Sequence, residues 1–125
     1  MRQLTSDKVY ELDLPFPLGI VDGNRVYLSG RTARDPETGD PIDGIEEQTE
    51  RVLTDIEVLL EEAGTSIDNV VQATIYLASM SDIGVVNDIY EEYMTEPYPA
   101  RSAVEVSDLA ADFDIEIEVV AALEE

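Results

Sequence analysis

Arg101 and Glu116 are the residues of this chain with the most chemistry to offer. Arg101 stands in Pro99-Ala100-Arg101-Ser102 at the start of one strand pattern, and Glu116 in Ile115-Glu116-Ile117-Glu118 within the next. Alternate side chains of a strand share a face, so Ile115, Ile117, Val119 and Ala121 form a core face while Glu116, Glu118 and Val120 point the other way. Arg101 shares its face with Ala103 and Glu105. Its planar guanidinium stays charged and can grip a carboxylate through two parallel hydrogen bonds. An arginine on the strand next to a carboxylate-bearing strand therefore suggests a site for a small anion. The alternative for Arg101 is a salt bridge within the chain, and for both glutamates it is plain solvation.

The residue inventory narrows the chemistry further. The chain has no Cys and no His, and Lys8 is its single lysine. Thiolate nucleophiles, disulfides and imidazole bases are excluded. Lys8 lies in an N-terminal stretch with no apolar pocket to depress its pKa, which argues against a Schiff base. What remains feasible is addition of water to an already reactive small molecule, with a carboxylate managing the proton and backbone groups orienting the water. Alternate carboxylates on a strand lie ~7 Å apart, within the range of inverting glycosidases, but there is no Trp to stack a sugar. The acids of the Asp35–Gly44 stretch do not follow the spacing of a calcium loop, so a solvated turn is expected there and no metal site.

The 125 residues carry 29 acidic and 7 basic side chains, a net charge of -22. Phosphate binding depends on clustered Lys and Arg, so nucleic acid is not an expected partner. A disordered acidic chain is argued against by 44% hydrophobic residues at helix and strand periods. The reading is a folded protein adapted to a salt-rich cytosol, where a Debye length of ~3 Å at ~1 M salt screens the self-repulsion. Desalting is expected to cost structure or assembly. Residues 1–125 read as one domain, with no membrane span and no secretory leader, and the expected location is cytoplasmic.

The elements that must position these residues follow from periodicity. Gly19–Asp22 and Arg25–Ser29 flank Asp22-Gly23-Asn24 as a hairpin, with a weak first strand expected at Val9–Leu12. The turn-rich segment Asp35–Pro41 ends this pattern. Asp43 and Glu46 then form the signature of a capping box, and Ile45, Thr49, Val52, Leu53, Ile56, Leu59, Leu60 and Ala63 follow at helical spacing up to Gly64. Val70–Leu77 reads as a buried strand. Ser79 and Asp82 open a second helix through Val86, Tyr90 and Met94, which Pro97 and Pro99 stop. Arg101–Val106 and Asp114–Ala121 complete an α+β sandwich of order β-β-β-α-β-α-β-β, two helices on one face of a mixed sheet. The other sheet face is left open, and apolar residues there predict oligomerisation.

Ser29-Gly30, the Pro36-x-Thr38-Gly39 turn, Gln48, Ala63-Gly64, Asn87-x-x-Tyr90, Pro99-Ala100-Arg101-Ser102 and Glu116-Ile117-Glu118 occur in the order and spacing of one family. Along nearly its whole length the chain resembles the reactive intermediate deaminases, the RidA or YjgF-like proteins. The resemblance implies a chorismate-mutase-like fold and a homotrimer whose sheets form a central barrel, with sites in the clefts between subunits. It implies hydrolysis of 2-imino and 2-enamino acids to 2-oxo acids and ammonia without a cofactor. Arg101 matches the arginine that grips the substrate carboxylate, and Glu116 the glutamate that activates water and shuttles protons. Gly30 and Ala103 match positions lining the pocket, with Asn87 and Tyr90 on the nearby helix. Phe16 stands where the family often has tyrosine, Leu18 where it has glutamine, Arg31 where glutamine is usual, and Ala103 where many members have cysteine. An arginine at 31 favours a second acidic group on the substrate, or else pairs with a surface acid of the chain. These departures motivate an alternative, a non-catalytic trimer that binds small anions or regulates.

Overall fold

Six strands and two helices account for the apolar patterns in the computed structural model, which describes residues 1–123. The order is β1 (Arg2–Gln3), β2 (Gly19–Asp22), β3 (Arg25–Leu28), α1 (Ile45–Ala63), β4 (Val70–Leu77), α2 (Ile83–Tyr93), β5 (Ala100–Glu105) and β6 (Ile115–Ala122). The strands form one sheet in the order β1-β2-β3-β6-β4-β5, and only the β4–β5 pair is parallel. A parallel pair requires a crossover, which α2 supplies. The sheet is therefore mixed, as the sequence predicts.

The helices share one face of this sheet. Val52, Leu53, Ile56, Leu59 and Leu60 of α1 are fully buried, as are Ile75 and Leu77 of β4 and Ile115, Ile117 and Ala121 of β6. Each of these Val, Leu and Ile side chains contributes about 1.5–3 kcal/mol on leaving water. The alternation expected for the last strand holds: Ile115, Ile117, Val119 and Ala121 are buried, and Glu116, Glu118 and Val120 half-buried on the other face. That open face also presents Tyr27 and Val104, which remain 47% and 41% exposed. No helix among the described residues is long and apolar enough to cross a membrane.

The N-terminal expectations need correction. The first strand is Arg2–Gln3, paired with Val21 and Ile20 of β2, and Val9–Leu12 forms no strand. Val9 is buried in the core, while the Tyr10 carbonyl accepts from the Arg31 side chain, 21 residues on, and so is satisfied without a strand partner. The capping box at Asp43 also fails. Gly44 is the N-cap, at φ 93, with no side-chain cap, and α1 begins at Ile45. At the other end, Gly64 takes the left-handed conformation at φ 95 and caps the helix as expected. Ser79 caps a short turn at Met80–Asp82 that precedes α2.

Candidate active site

Gly30 and Glu116 meet at the end of β3. The β-pairing continues past β3 through an isolated bridge between Arg31 and Ile117, whose amides exchange hydrogen bonds of 2.8 and 3.1 Å. This brings the Gly30 backbone under the Glu116 side chain. A Cβ at Gly30 would collide with Glu116 Oε2 and lie 2.9 Å from Cδ, so only glycine leaves the carboxylate where it is. Around the pair lies a cavity of about 500 Å³, whose walls include Glu11, Phe16, Leu18, Ser29, Arg31 and Arg34. Ser29 Oγ donates to the Pro17 carbonyl at 2.7 Å and its amide to the Leu18 carbonyl at 3.1 Å, fixing the segment that carries Phe16.

The Glu116 carboxylate makes no hydrogen bond among the described residues. Burial first, and then the charge of Glu118, push its carboxyl up from its ordinary value. It is thus a group that can hold a proton and return it. Glu118 differs. Its Oε1 accepts from the Tyr76 hydroxyl at 2.5 Å, and this bond raises the phenol's pKa. Glu118 is therefore occupied as a structural acceptor on the open face.

Arg101 stands elsewhere in the chain. The strands that carry Arg101 and Glu116 are not neighbours, because β4 lies between them. Tyr76 pairs with Glu116 and Val104, whereas Ala73 pairs with Val119 and Arg101. Cross-strand partners share a face, so Glu116 projects from the open face, and Arg101 with Ala103 from the helix side. One anion site made by adjacent strands of a single chain is thereby overturned. The cause is topological: the crossover through α2 seats β5 beside β4, leaving β6 on β4's other edge.

On its own face Arg101 is held but not neutralised. Its Nη1 donates to Asn87 Oδ1 at 2.8 Å, and its Cζ lies 5.0 Å from the centre of the Tyr90 ring. Asn87 and Tyr90 both come from α2, three residues apart and hence on one helix face. Stacking on a ring and one bond to a neutral amide orient the guanidinium and leave its charge free for an anion. Arg101, Asn87, Tyr90, Glu91, Tyr98 and Pro99 line a hollow of about 310 Å³. The Tyr90 hydroxyl is buried without a partner among the described residues, and burial raises its pKa against the pull of Arg101. Ala103 packs against the hydrophobic core.

Arg31 is occupied by an acid, as the second of its two expected uses has it, but the acid is the buried Asp55 and not a surface one. Its side chain is buried, and Nη2 donates to Asp55 Oδ2 at 3.0 Å and to the Tyr10 carbonyl at 3.1 Å. Arg51, one turn before Asp55, approaches the other carboxylate oxygen at 3.4 Å. Burial pushes the Asp55 carboxyl up, and Arg31 followed by Arg51 pull it back. Arg31 thus clamps α1 to the segment that walls the cavity and is not free to hold a substrate carboxylate.

Sequence reasoning missed Asp55, Arg34 and Tyr76. Asp55 had a signal: it falls in the apolar stripe of α1, three residues after Val52 and four before Leu59, where a carboxylate needs a partner. Tyr76 and Arg34 had none, since their importance depends on cross-strand register and on a loop's path.

The sequence profile of the family described as Endoribonuclease L-PSP matches residues 14–123. A RutC family protein of Pyrococcus abyssi is 45% identical over 108 residues, covering 86% of this chain and 85% of the relative. The 2-iminobutanoate/2-iminopropanoate deaminase of Bos taurus is 35% identical over 108 residues, covering 86% of this chain and 79% of that protein. The crystal structure of RidA from an Antarctic Psychrobacter superposes with a TM-score of 0.94 at 34% identity, covering 98% of this chain and 99% of that one.

Proposed function

Because the chain belongs to the RidA (YjgF-like) family, which includes 2-iminobutanoate/2-iminopropanoate deaminases, we propose that it hydrolyses 2-imino and 2-enamino acids to 2-oxo acids and ammonia. The observation that carries this reading is the Glu116 carboxylate: raised in pKa, without a protein partner and seated over a bare glycine backbone. The second support is Arg101, a pre-oriented cation that forms no ion pair among the described residues.

In this reading the site forms between subunits. Glu116 and Arg101 face different ways in one chain, so each subunit brings two half-sites, and a neighbour's Arg101 completes the cavity over Glu116. A homotrimer packed through its open sheet faces does this while covering Tyr27 and Val104, apolar surface that water otherwise meets. No cofactor is required, because the substrate is already an electrophile.

The chemistry then follows from the residues. Arg101 binds the C1 carboxylate and presents C2 to Glu116. With an enamine, protonated Glu116 delivers its proton to C3 and the electron pair shifts to give the C2 iminium. The carboxylate left behind takes a proton from water as its oxygen bonds to C2, forming a carbinolamine. Return of that proton to nitrogen, with loss of the hydroxyl proton, breaks the C2–N bond and releases ammonia and the 2-oxo acid. The Gly30 backbone sets the position of Glu116, and Phe16 bounds the side-chain space. RNA is disfavoured as a substrate by the net charge of -22, which repels phosphate.

Coupled to a threonine or serine dehydratase in high salt, the protein is expected to speed 2-oxo acid formation, and Arg101→Ala to abolish the increase. An Arg101→Ala protein that works normally contradicts the mechanism. Binding of 2-oxo acids by the wild type with no hydrolysis selects the non-catalytic reading instead.

A further inference from the structure

The chain holds its cations in two different ways. Arg31 is neutralised by a buried acid. Arg34 is not. Its Nη1 donates to the Gly39 carbonyl at 3.0 Å and its Cζ lies 5.0 Å from the centre of the Phe113 ring, while Nε is buried with no partner. No carboxylate among the described residues lies within ion-pair distance of it, in a chain with 29 acidic residues against 7 basic ones. This repeats the treatment of Arg101: a ring beneath the guanidinium, one neutral acceptor and an uncompensated charge. Stacking removes rotational freedom without removing charge, so such an arginine meets an anion already oriented.

Arg34 also faces the right space. It lines the same cavity as Gly30 and Glu116, whose wall also includes Glu11, unpaired with Arg34, and Arg31, whose charge is already paired. Since Arg101 accounts for one carboxylate of the substrate, the Arg34 charge has room for a second.

We propose that Arg34 is an anion site for the substrate's side chain, so that this protein favours 2-imino dicarboxylic acids over 2-imino acids with short apolar side chains. The proposal rests on the deaminase reading for its substrate, but the anion site itself does not. A carboxylate at the far end of the side chain accepts from the free N–H groups of Arg34, and C2 stays beside Glu116. The reaction is unchanged: water adds at C2, ammonia leaves, and a 2-oxo dicarboxylic acid is formed.

The test is a pair of titrations by calorimetry with product analogues that differ only at the far end, 2-oxoglutarate and 2-oxopentanoate. A charge-assisted contact predicts binding of 2-oxoglutarate about tenfold tighter or more. In Arg34→Met that ratio is expected to fall close to one, and in Arg34→Lys to keep part of its value. Equal affinities in the wild type overturn the proposal without reference to any variant, as does a preference that survives Arg34→Met. Hydrolysis is followed in parallel on imines made from glutamate and from 2-aminopentanoate by an amino acid oxidase. A binding preference with neither imine hydrolysed removes the deaminase reading and leaves Arg34 as the anion site of a binding protein. Hydrolysis of both imines at equal kcat/KM, with equal binding, removes Arg34 and leaves the deaminase.

Discussion

Replacing Gly30 by alanine separates the site from the fold. The added Cβ collides with Oε2 of Glu116 and lies 2.9 Å from Cδ and 3.2 Å from Cγ, its three nearest atoms all belonging to that side chain. Relief therefore requires the end of one half-buried side chain to turn aside, at a rotamer cost of about 0.5–1.5 kcal/mol. Gly30 is not among the positive-φ positions, so alanine strains no backbone there and recovers about 0.4–1 kcal/mol through the unfolded chain. The expected change in stability is within about 1 kcal/mol of zero. Activity behaves otherwise, because a carboxylate moved by about 1 Å from its working position loses on the order of 100-fold in rate. Urea denaturation at fixed high salt reads the first quantity and dehydratase-coupled 2-oxo acid formation the second. Wild-type rates in Gly30→Ala refute the working position assigned to Glu116. A stability loss above about 3 kcal/mol refutes the claim that only a side chain must move.

The buried pair beneath the cavity gives a contrasting result: Asp55→Ala strands the Arg31 charge, whose side chain is 10% exposed, and is expected to cost about 3–5 kcal/mol in urea denaturation. The double variant Arg31→Met with Asp55→Leu is expected to regain most of that loss, and a double variant no better than the single one contradicts the ion-pair account. Tyr90→Phe removes a hydroxyl that is buried without a partner and keeps the ring under Arg101, so stability is expected to hold or rise. A clear loss in thermal denaturation shows that the hydroxyl has a partner in the working assembly. Glu116 carries a raised pKa in the folded state, so the native form holds its proton at higher pH than the unfolded chain does. Its contribution to stability is fully present below the unfolded pKa and is lost as pH rises through the folded one. Glu116→Gln is expected to flatten that part of the stability–pH curve; a curve unchanged from wild type contradicts the assignment. Dilution from high salt is expected to reduce ellipticity or mass, and unchanged circular dichroism and sedimentation at low salt remove the salt-adaptation reading.

Much of this architecture is legible in local sequence because periodicity reports burial directly. Ile115 to Ala121 alternate faces as their pattern requires, Val70–Leu77 spans a strand with the expected ends, and Gly64 closes its helix. The family motifs mark Gly30, Asn87 and Tyr90 as pocket positions, but only the structure sets Gly30 against Glu116 and Asn87 with Tyr90 against Arg101. What local sequence does not carry is which strand lies beside which. Arg101 and Glu116 looked like one site because their strands are consecutive in the chain, yet the crossover inserts β4 between them and puts them on opposite faces. Arg31 and Arg34 are equally ambiguous as letters. The first meets Asp55 only because α1 lies across the sheet, and the second meets Phe113 only through the path of a loop.

The central claim is that one working site takes Arg101 from one subunit and Glu116 from another. Subunits carrying Arg101→Ala, inactive alone, can be refolded in equal amounts with subunits carrying Glu116→Ala, also inactive alone. If sites are shared, an interface is intact whenever the Glu116→Ala subunit lends its arginine to the Arg101→Ala subunit's glutamate. Random mixing places that pairing at about one interface in four, half times half, so about a quarter of wild-type deaminase activity is predicted to return. If both residues act within one subunit, every site in the mixture lacks one of them. A mixture as inactive as its parents, with hetero-oligomers shown to have formed, contradicts the account.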